Sequence, residues 1–163
     1  MSSKPAFDGA ADIEASFERL AEVCGDPTPL VYERLFAVHP TMQPYFWRDT
    51  TGAVKGEMLS RTFEAILDFV GERRYAQHMI GTEMVTHEGY LVPRETFITF
   101  FEIIRDTIRE TLGEDWTPAF ETAWSDMLAE IDTFAQATPR SDTSNPYHAA
   151  RNAEFIAPYA AKA

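Results

Sequence analysis

The stretch YERLFAVHPTMQPYF, residues 32–46, decides how this chain folds. Leu35 and Phe36 continue a helical spacing of apolar residues, so the first half of the stretch is predicted to be a helix. Pro40 and Pro44 lack a backbone N–H and fix φ, so that helix cannot continue through the second half. The stretch therefore predicts a helix followed by a short, tight corner rich in aromatic residues.

The same helical spacing recurs on both sides of this stretch, whereas the alternation typical of a half-buried strand is nowhere sustained. Asp12 is predicted to cap the first helix. Prolines and glycines separate the segments that follow. The predicted helices lie within residues 12–24, 26–39, 54–70, 75–88, 93–112 and 116–137. The chain is therefore predicted to be all-α, with six or seven helices.

The composition of the chain changes beyond Thr138, where Pro, Ser, Asp, Asn and Ala predominate. Such a change indicates a linker, and the residues after it predict a small amphipathic segment over 147–159. A chain of 163 residues is long enough for one ordinary domain. We therefore expect an N-terminal extension over 1–11, a helical domain over 12–137, and a linker and tail over 138–163.

Charge and composition exclude several function classes. The chain has 26 acidic and 14 Lys or Arg residues, a net charge of -12, so phosphate backbones and anionic lipid surfaces should repel it. Neither a secretory signal nor a membrane-spanning segment is visible, which predicts a cytoplasmic protein. The single cysteine cannot form an internal disulfide. Any metal chemistry would therefore rest on histidine or carboxylate side chains, and no feature indicates an oligomeric state.

The common catalytic motifs are absent from the sequence. It contains no G-x-G-x-x-G, P-loop, G-x-S-x-G or H-E-x-x-H pattern. Its many carboxylates are typical of the solvated faces of an acidic helical protein. The sequence therefore points to no catalytic residue.

One histidine stands in a suggestive position. His87 lies near the end of a predicted helix, and a glycine turn, Pro93 and a phenylalanine-rich helix follow it. A neutral imidazole is a good ligand for haem iron, and a porphyrin requires a large apolar slot. A histidine beside an apolar helix is also commonly a structural residue, so both interpretations remain open at this point.

Three blocks of the sequence resemble bacterial single-domain haemoglobins and the haem domain of flavohaemoglobins. Residues 32–46 match the family pattern Y-x-x-L-F-x-x-H-P-x-x-x-P-x-F. Residues 87–97 resemble the proximal histidine, its turn and the start of the next helix. Residues 112–124 are similar to the family's L-G-x-x-W-T-P…A-W junction. The resemblance spans residues 12–137 and implies a globin fold, a haem b cofactor with its iron, and a diatomic ligand such as oxygen.

On the proximal side, the resemblance makes His87 the iron ligand and places Val92 and Phe97 beside the cofactor. Two features depart from the family. Glu83 lies one turn before His87, where globins place an apolar residue. Phe97 occupies the position of a tyrosine that belongs to a Tyr–Glu pair in flavohaemoglobins, and without that pair peroxidase-like chemistry should be weaker than simple ligand binding.

On the distal side, Tyr32 matches the tyrosine whose hydroxyl bonds the iron-bound ligand in bacterial members. Phe46 matches the phenylalanine that packs against the porphyrin. Arg48 stands where globins often place a base near a haem propionate. These three roles are what the resemblance implies.

The segment Lys55–Leu59 resembles the distal-helix pattern Q-x-x-x-L. This register places Lys55 at the gate of the cavity and Leu59 over the iron, and Gly56 would allow a close helix crossing. An alternative register places Arg61 or Thr62 over the haem. Lys55 would either border the haem edge in solvent or, with a lowered pKa, ligate the iron or hold its ligand.

Three functions follow from this sequence. The first is a haem globin that reversibly binds oxygen or another diatomic ligand for binding, storage or sensing. Because no flavin or dinucleotide segment is visible, nitric oxide dioxygenation would require an external reductase. The second is a haem-free, globin-like regulatory or interaction module, which the charges of Glu83 and Lys55 favour. The third is a haem peroxidase or dioxygenase.

Overall fold

A computed structural model of the chain describes residues 7–140 and 146–160, and the apolar periodicity of the sequence appears there as helices. Over these residues the structure contains no strand. Its helices are α1 (Ala10–Val23), α2 (Thr28–Val38), α3 (Ala53–Val70), α4 (Ala76–Gly89), α5 (Arg94–Leu112), α6 (Pro118–Ala137) and α7 (Pro146–Ala160), with 3₁₀ turns at Pro40–Phe46, here called the corner helix, and at Gly113–Asp115. The predicted all-α fold is confirmed.

The start of α1 differs from its prediction. The helix begins at Ala10, and Asp12 lies in its first turn, donating its backbone N–H to the Gly9 carbonyl at 3.1 Å. A Cβ on Gly9 would lie only 2.8 Å from the Cβ of Ala123, so glycine allows the start of α1 to approach α6 closely. The expected domain boundary at residue 12 therefore falls inside a helix. Residues 1–6 and 141–145 of the expected extension and linker lie outside the described residues.

The packed centre of the molecule lies between α1, α5 and α6. Trp124 of α6 is fully buried there, and its indole N–H donates to the Ser16 hydroxyl at 3.0 Å. That hydroxyl donates in turn to the Ile13 carbonyl at 2.7 Å. The buried indole of Trp124 and hydroxyl of Ser16 thus both have partners, as a dry core requires.

The remaining helices surround a second region. Helices α2 and α4 each pack on both α3 and α5, α2 also packs on the corner helix, and α7 packs on the corner helix. This arrangement leaves space between α2 and α4. None of the helices in the described ranges is both long and apolar enough to span a bilayer.

Candidate functional site

A cavity of about 860 Å³ lies between α2, the corner helix, α3, α4 and α5, and α7 adds to its wall. Its volume falls within the range typical of cofactor sites. Most of its lining is apolar, and aromatic rings form much of it. These rings are Tyr32, Tyr45, Phe46, Tyr90, Phe97, Phe100, Phe101 and Phe155.

The structure brings six of the eight sequence-predicted site residues to this one cavity. They are Tyr32, Phe46, Arg48, His87, Val92 and Phe97. They come from α2, the corner helix and the segment after it, α4, the turn after α4, and α5. The other two, Lys55 and Leu59, are not among the residues that line it.

His87 is held in one orientation by its own helix. Its ring Nδ1 lies 2.7 Å from the Glu83 carbonyl, and since a carbonyl only accepts, Nδ1 carries the proton in this bond. In a neutral imidazole with this tautomer, the other nitrogen, Nε2, keeps its lone pair, which is the form that binds a metal. The side chain is 28% exposed. The Phe97 ring packs against the imidazole, with the two ring centres 5.1 Å apart.

The backbone after His87 turns sharply. The Val92 N–H donates to the His87 carbonyl at 3.0 Å, and Leu91 has a φ of 63°. The sequence pointed to Gly89 for this turn, whereas the left-handed residue is Leu91, a conformation that is unfavourable for a leucine. The turn carries Val92 into the cavity wall, where it is buried.

Tyr32 carries the most unusual polar atom of the cavity. The residue is 2% exposed, and its hydroxyl has no hydrogen-bond partner within the described structure. The rings of Phe36, Phe46 and Phe100 surround it at centre distances of 5.3 to 5.9 Å. Burial, and secondarily the negative charge of Asp49, raises the pKa of the phenol well above its usual range. Tyr32 therefore presents a neutral donor that has nothing to bond.

Helix α3 faces the cavity in the alternative register. Met58, Arg61, Thr62 and Ala65 line the cavity and lie one and two turns apart on one helix face. Leu59 is instead 2% exposed and belongs to the protein core. A Cβ on Gly56 would lie 4.0 Å from the nearest atom, a Thr28 oxygen, which is ordinary contact. Gly56 therefore marks no tight crossing, and the register expected from it differs from the structure.

Asp49 accounts for the position of Lys55. The carboxylate of Asp49 accepts the backbone N–H groups of Val54 and Lys55 at 3.1 and 2.9 Å and so caps α3. The Lys55 ammonium pairs with the same carboxylate at 3.2 Å. Burial raises the pKa of Asp49, but these hydrogen bonds and the ammonium outweigh it, and the pKa lies below its usual range. The lysine thus serves the start of the helix, and its ammonium lies 5.7 Å from the centre of the Phe46 ring in the cavity wall, although Lys55 does not itself line the cavity.

Two features of the site had no signal in the motifs. The first is α7, which contributes Arg151 and Phe155 to the cavity wall. The second is a buried ion pair behind His87, in which the Arg94 guanidinium bonds the Glu88 carboxylate at 2.6 Å. Neither could be recognised, because the sequence pattern of a helix does not say which neighbour it packs against.

The residues of the cavity fit an iron porphyrin. An imidazole with a free Nε2, aromatic and aliphatic walls, and a buried hydroxyl without a partner are the groups that a porphyrin and an iron-bound ligand would use. Glu83, which also lines the cavity, is the least suited of these residues, because its carboxylate needs water or a cation.

Comparisons with known proteins give one match. A family model described as Globin matches residues 30–134, which is more than half of the chain and includes most of the helices around the cavity. No curated protein and no solved structure matches the chain. The α7 segment lies outside the matched range.

Proposed function

The chain belongs to the globin family, and from this premise we propose that it binds haem b and reversibly binds oxygen or another diatomic ligand at the haem iron. The single observation that carries the proposal is the pairing, in one apolar cavity, of an imidazole with a free Nε2 and a buried phenol without a partner. A bound haem supplies the iron and its open coordination position; the protein supplies the groups described below.

His87 is the proposed proximal ligand. Its bond to the Glu83 carbonyl fixes both the tautomer and the ring orientation before any cofactor enters. Phe97 packs on one side of the imidazole, and Val92 follows in the same wall. These neighbours restrict rotation of the imidazole ring. The ring therefore loses little conformational entropy when the iron binds.

Tyr32 is the proposed donor to the diatomic ligand. Its raised pKa keeps the phenol protonated at neutral pH, so it can donate and not merely accept. The ring of Phe46 packs edge-on against it and excludes water from the hydroxyl. A donor in such a dry environment interacts more strongly with a polar ligand than one in water. This favours reversible binding, storage or sensing of the ligand.

The direct test replaces His87. We expect apoprotein reconstituted with haem to give a Soret band that changes between the ferric, ferrous and CO-bound forms. His87→Ala should weaken haem binding more than about tenfold and change the ferrous spectrum, since it removes the iron ligand. His78→Ala is the matched control, because His78 lies exposed on the same helix and does not line the cavity.

An unchanged spectrum in His87→Ala would overturn the assignment of the ligand. The absence of any Soret band in the wild type would favour a second function, a haem-free globin-like module. The observation in favour of this second function is the set of carboxylates, Asp49, Glu57 and Glu83, in the lining of the cavity.

A further inference from the structure

The C-terminal helix α7 forms part of the cavity although it lies outside the range of the family match. It packs on the corner helix, and the Trp47 indole N–H donates to its Phe155 carbonyl at 2.8 Å. Phe155 is half-buried, and its side chain reaches the cavity wall. A bond to a backbone carbonyl inside a helix sets the position of that helix along the cavity edge.

Two guanidinium groups meet the cavity at this edge. Arg48 lies against the rings of Trp47 and Phe155, with its Cζ 4.8 and 5.5 Å from their centres. Arg151 lies over the ring of Tyr90 at 5.7 Å. Each cation is therefore supported by aromatic faces, which fix its position without neutralising its charge.

These two cations differ from the other charged groups of the cavity. Arg61 pairs with Glu57 at 2.9 Å, and Asp49 pairs with Lys55. Within residues 7–140 and 146–160, no carboxylate lies at ion-pair distance from Arg48 or Arg151. In a chain with a net charge of -12, two unpaired guanidiniums at one cavity edge form a local site for anions.

We propose that α7 completes the porphyrin site, with Arg151 binding one carboxylate of the porphyrin while Arg48 binds the other. This inference rests on the proposed function, because haem b carries two propionate groups. The Phe155 ring lies beside the Arg48 guanidinium, and both arginines are exposed, so each can form a charge-assisted hydrogen bond that solvent partly screens. Arg151 thus becomes a specificity determinant for dicarboxylate porphyrins that lies outside the matched globin range.

The test compares two iron-free probes, protoporphyrin IX and its dimethyl ester, by fluorescence titration of the full-length apoprotein. Neither probe needs an iron ligand, and only the first carries carboxylates. We expect Arg151→Gln to raise the Kd for protoporphyrin IX about two- to fivefold, as for a solvent-exposed ion pair. The Kd for the ester should change less than about twofold. Arg151→Lys should retain most of the affinity for the acid, and salt should reduce the difference.

Arg140→Gln is the matched control, because it removes the same charge from an exposed position that does not line the cavity. Circular dichroism checks that each variant is folded. If Arg151→Gln behaves like Arg140→Gln, or weakens the acid and the ester equally, the proposed role of α7 is wrong while porphyrin binding stands. If the wild type binds neither probe, the proposed function itself fails.

Discussion

Tyr32 is a buried side chain whose hydroxyl lowers the stability of the folded apoprotein. Its buried hydroxyl, which no group among the described residues bonds, is unfavourable in the apoprotein. Burial, with a smaller effect of the Asp49 charge, also makes ionisation unfavourable, so the pKa of the phenol is raised in the folded state. A buried polar atom of this kind is expected where a ligand supplies the missing partner.

The raised pKa predicts a specific pH dependence. An unfolded tyrosine ionises near pH 10, whereas folded Tyr32 keeps its proton there, so above that pH the unfolded state binds fewer protons than the folded state. The free energy of unfolding should therefore be unaffected by Tyr32 below about pH 10 and fall by up to about 1.4 kcal/mol per pH unit above it. Tyr32→Phe should lack this contribution.

Urea unfolding between about pH 9 and pH 11 measures this difference. Tyr147→Phe is the control, because it removes a phenol from an exposed position. Parallel pH profiles for the wild type and Tyr32→Phe would contradict the burial of the neutral phenol.

Glu83 is the lining residue that opposes an apolar cofactor. Its carboxylate lies 3.8 Å from the His87 Nδ1 and is 47% exposed, so solvent screens part of its charge. Glu83→Leu should lower the Kd for haem about two- to fivefold, because an apolar side chain packs against the porphyrin without desolvation. Haem titration measures the change, and Glu102→Leu on the exposed face of α5 is the control. A higher Kd in Glu83→Leu would show that the carboxylate assists binding.

The helices themselves were largely predictable, but the orientation of α3 was not. The periodicity of its apolar residues predicted a helix over 54–70, and the structure has Ala53–Val70. Which face of α3 meets the cavity depends on the segment that precedes the helix. In that segment, the Asp49 carboxylate accepts a hydrogen bond from the first turn of α3 and pairs with the Lys55 ammonium. A short motif match does not include this capping contact, so it does not determine which face of α3 meets the cavity.

The junction between α4 and α5 is held by a buried ion pair. Arg94 is 2% exposed, and its guanidinium bonds Glu88 and also the carbonyls of Ala135, Thr138 and Pro139 at 2.6 to 3.0 Å. One side chain thus ties the turn after His87 to the end of α6.

Arg94→Met should lower the free energy of unfolding by about 3–5 kcal/mol, because it removes the guanidinium that pairs with the buried Glu88 carboxylate. The double variant Arg94→Met, Glu88→Leu should recover at least about 1 kcal/mol of this loss, because the buried carboxylate is removed as well. Urea unfolding measures both. Arg74→Met, which removes an exposed partner of Glu72, should cost less than about 1 kcal/mol. A double variant as unstable as Arg94→Met would indicate that the backbone bonds dominate.

The packing of the helices explains why the sequence predicted the residues of α2, the corner helix and α4 in the cavity but not those of α7. A helix, a proline corner and a turn fix the positions of Tyr32, Phe46 and His87 locally, and all three line the same cavity. Arg151 reaches the cavity only because α7 packs back on the corner helix. No local sequence pattern predicts that α7 packs on the corner helix, since an amphipathic helix can pack on many surfaces.

The cavity also predicts how the chain responds to its cofactor. A space of about 860 Å³ between α2 and α4 leaves their facing side chains without the contacts that a packed interior provides. A ligand that binds only the folded state stabilises it by about 2.7 kcal/mol at a hundredfold excess over Kd. For a chain of this length, haem should therefore raise the melting temperature by about 5–10 °C. Calorimetry of the apo and reconstituted forms measures this increase, which should be smaller in His87→Ala at the same haem concentration. An equal increase in both proteins would mean that haem adheres elsewhere on the surface, and equal melting temperatures with and without haem would mean that the folded chain does not enclose it.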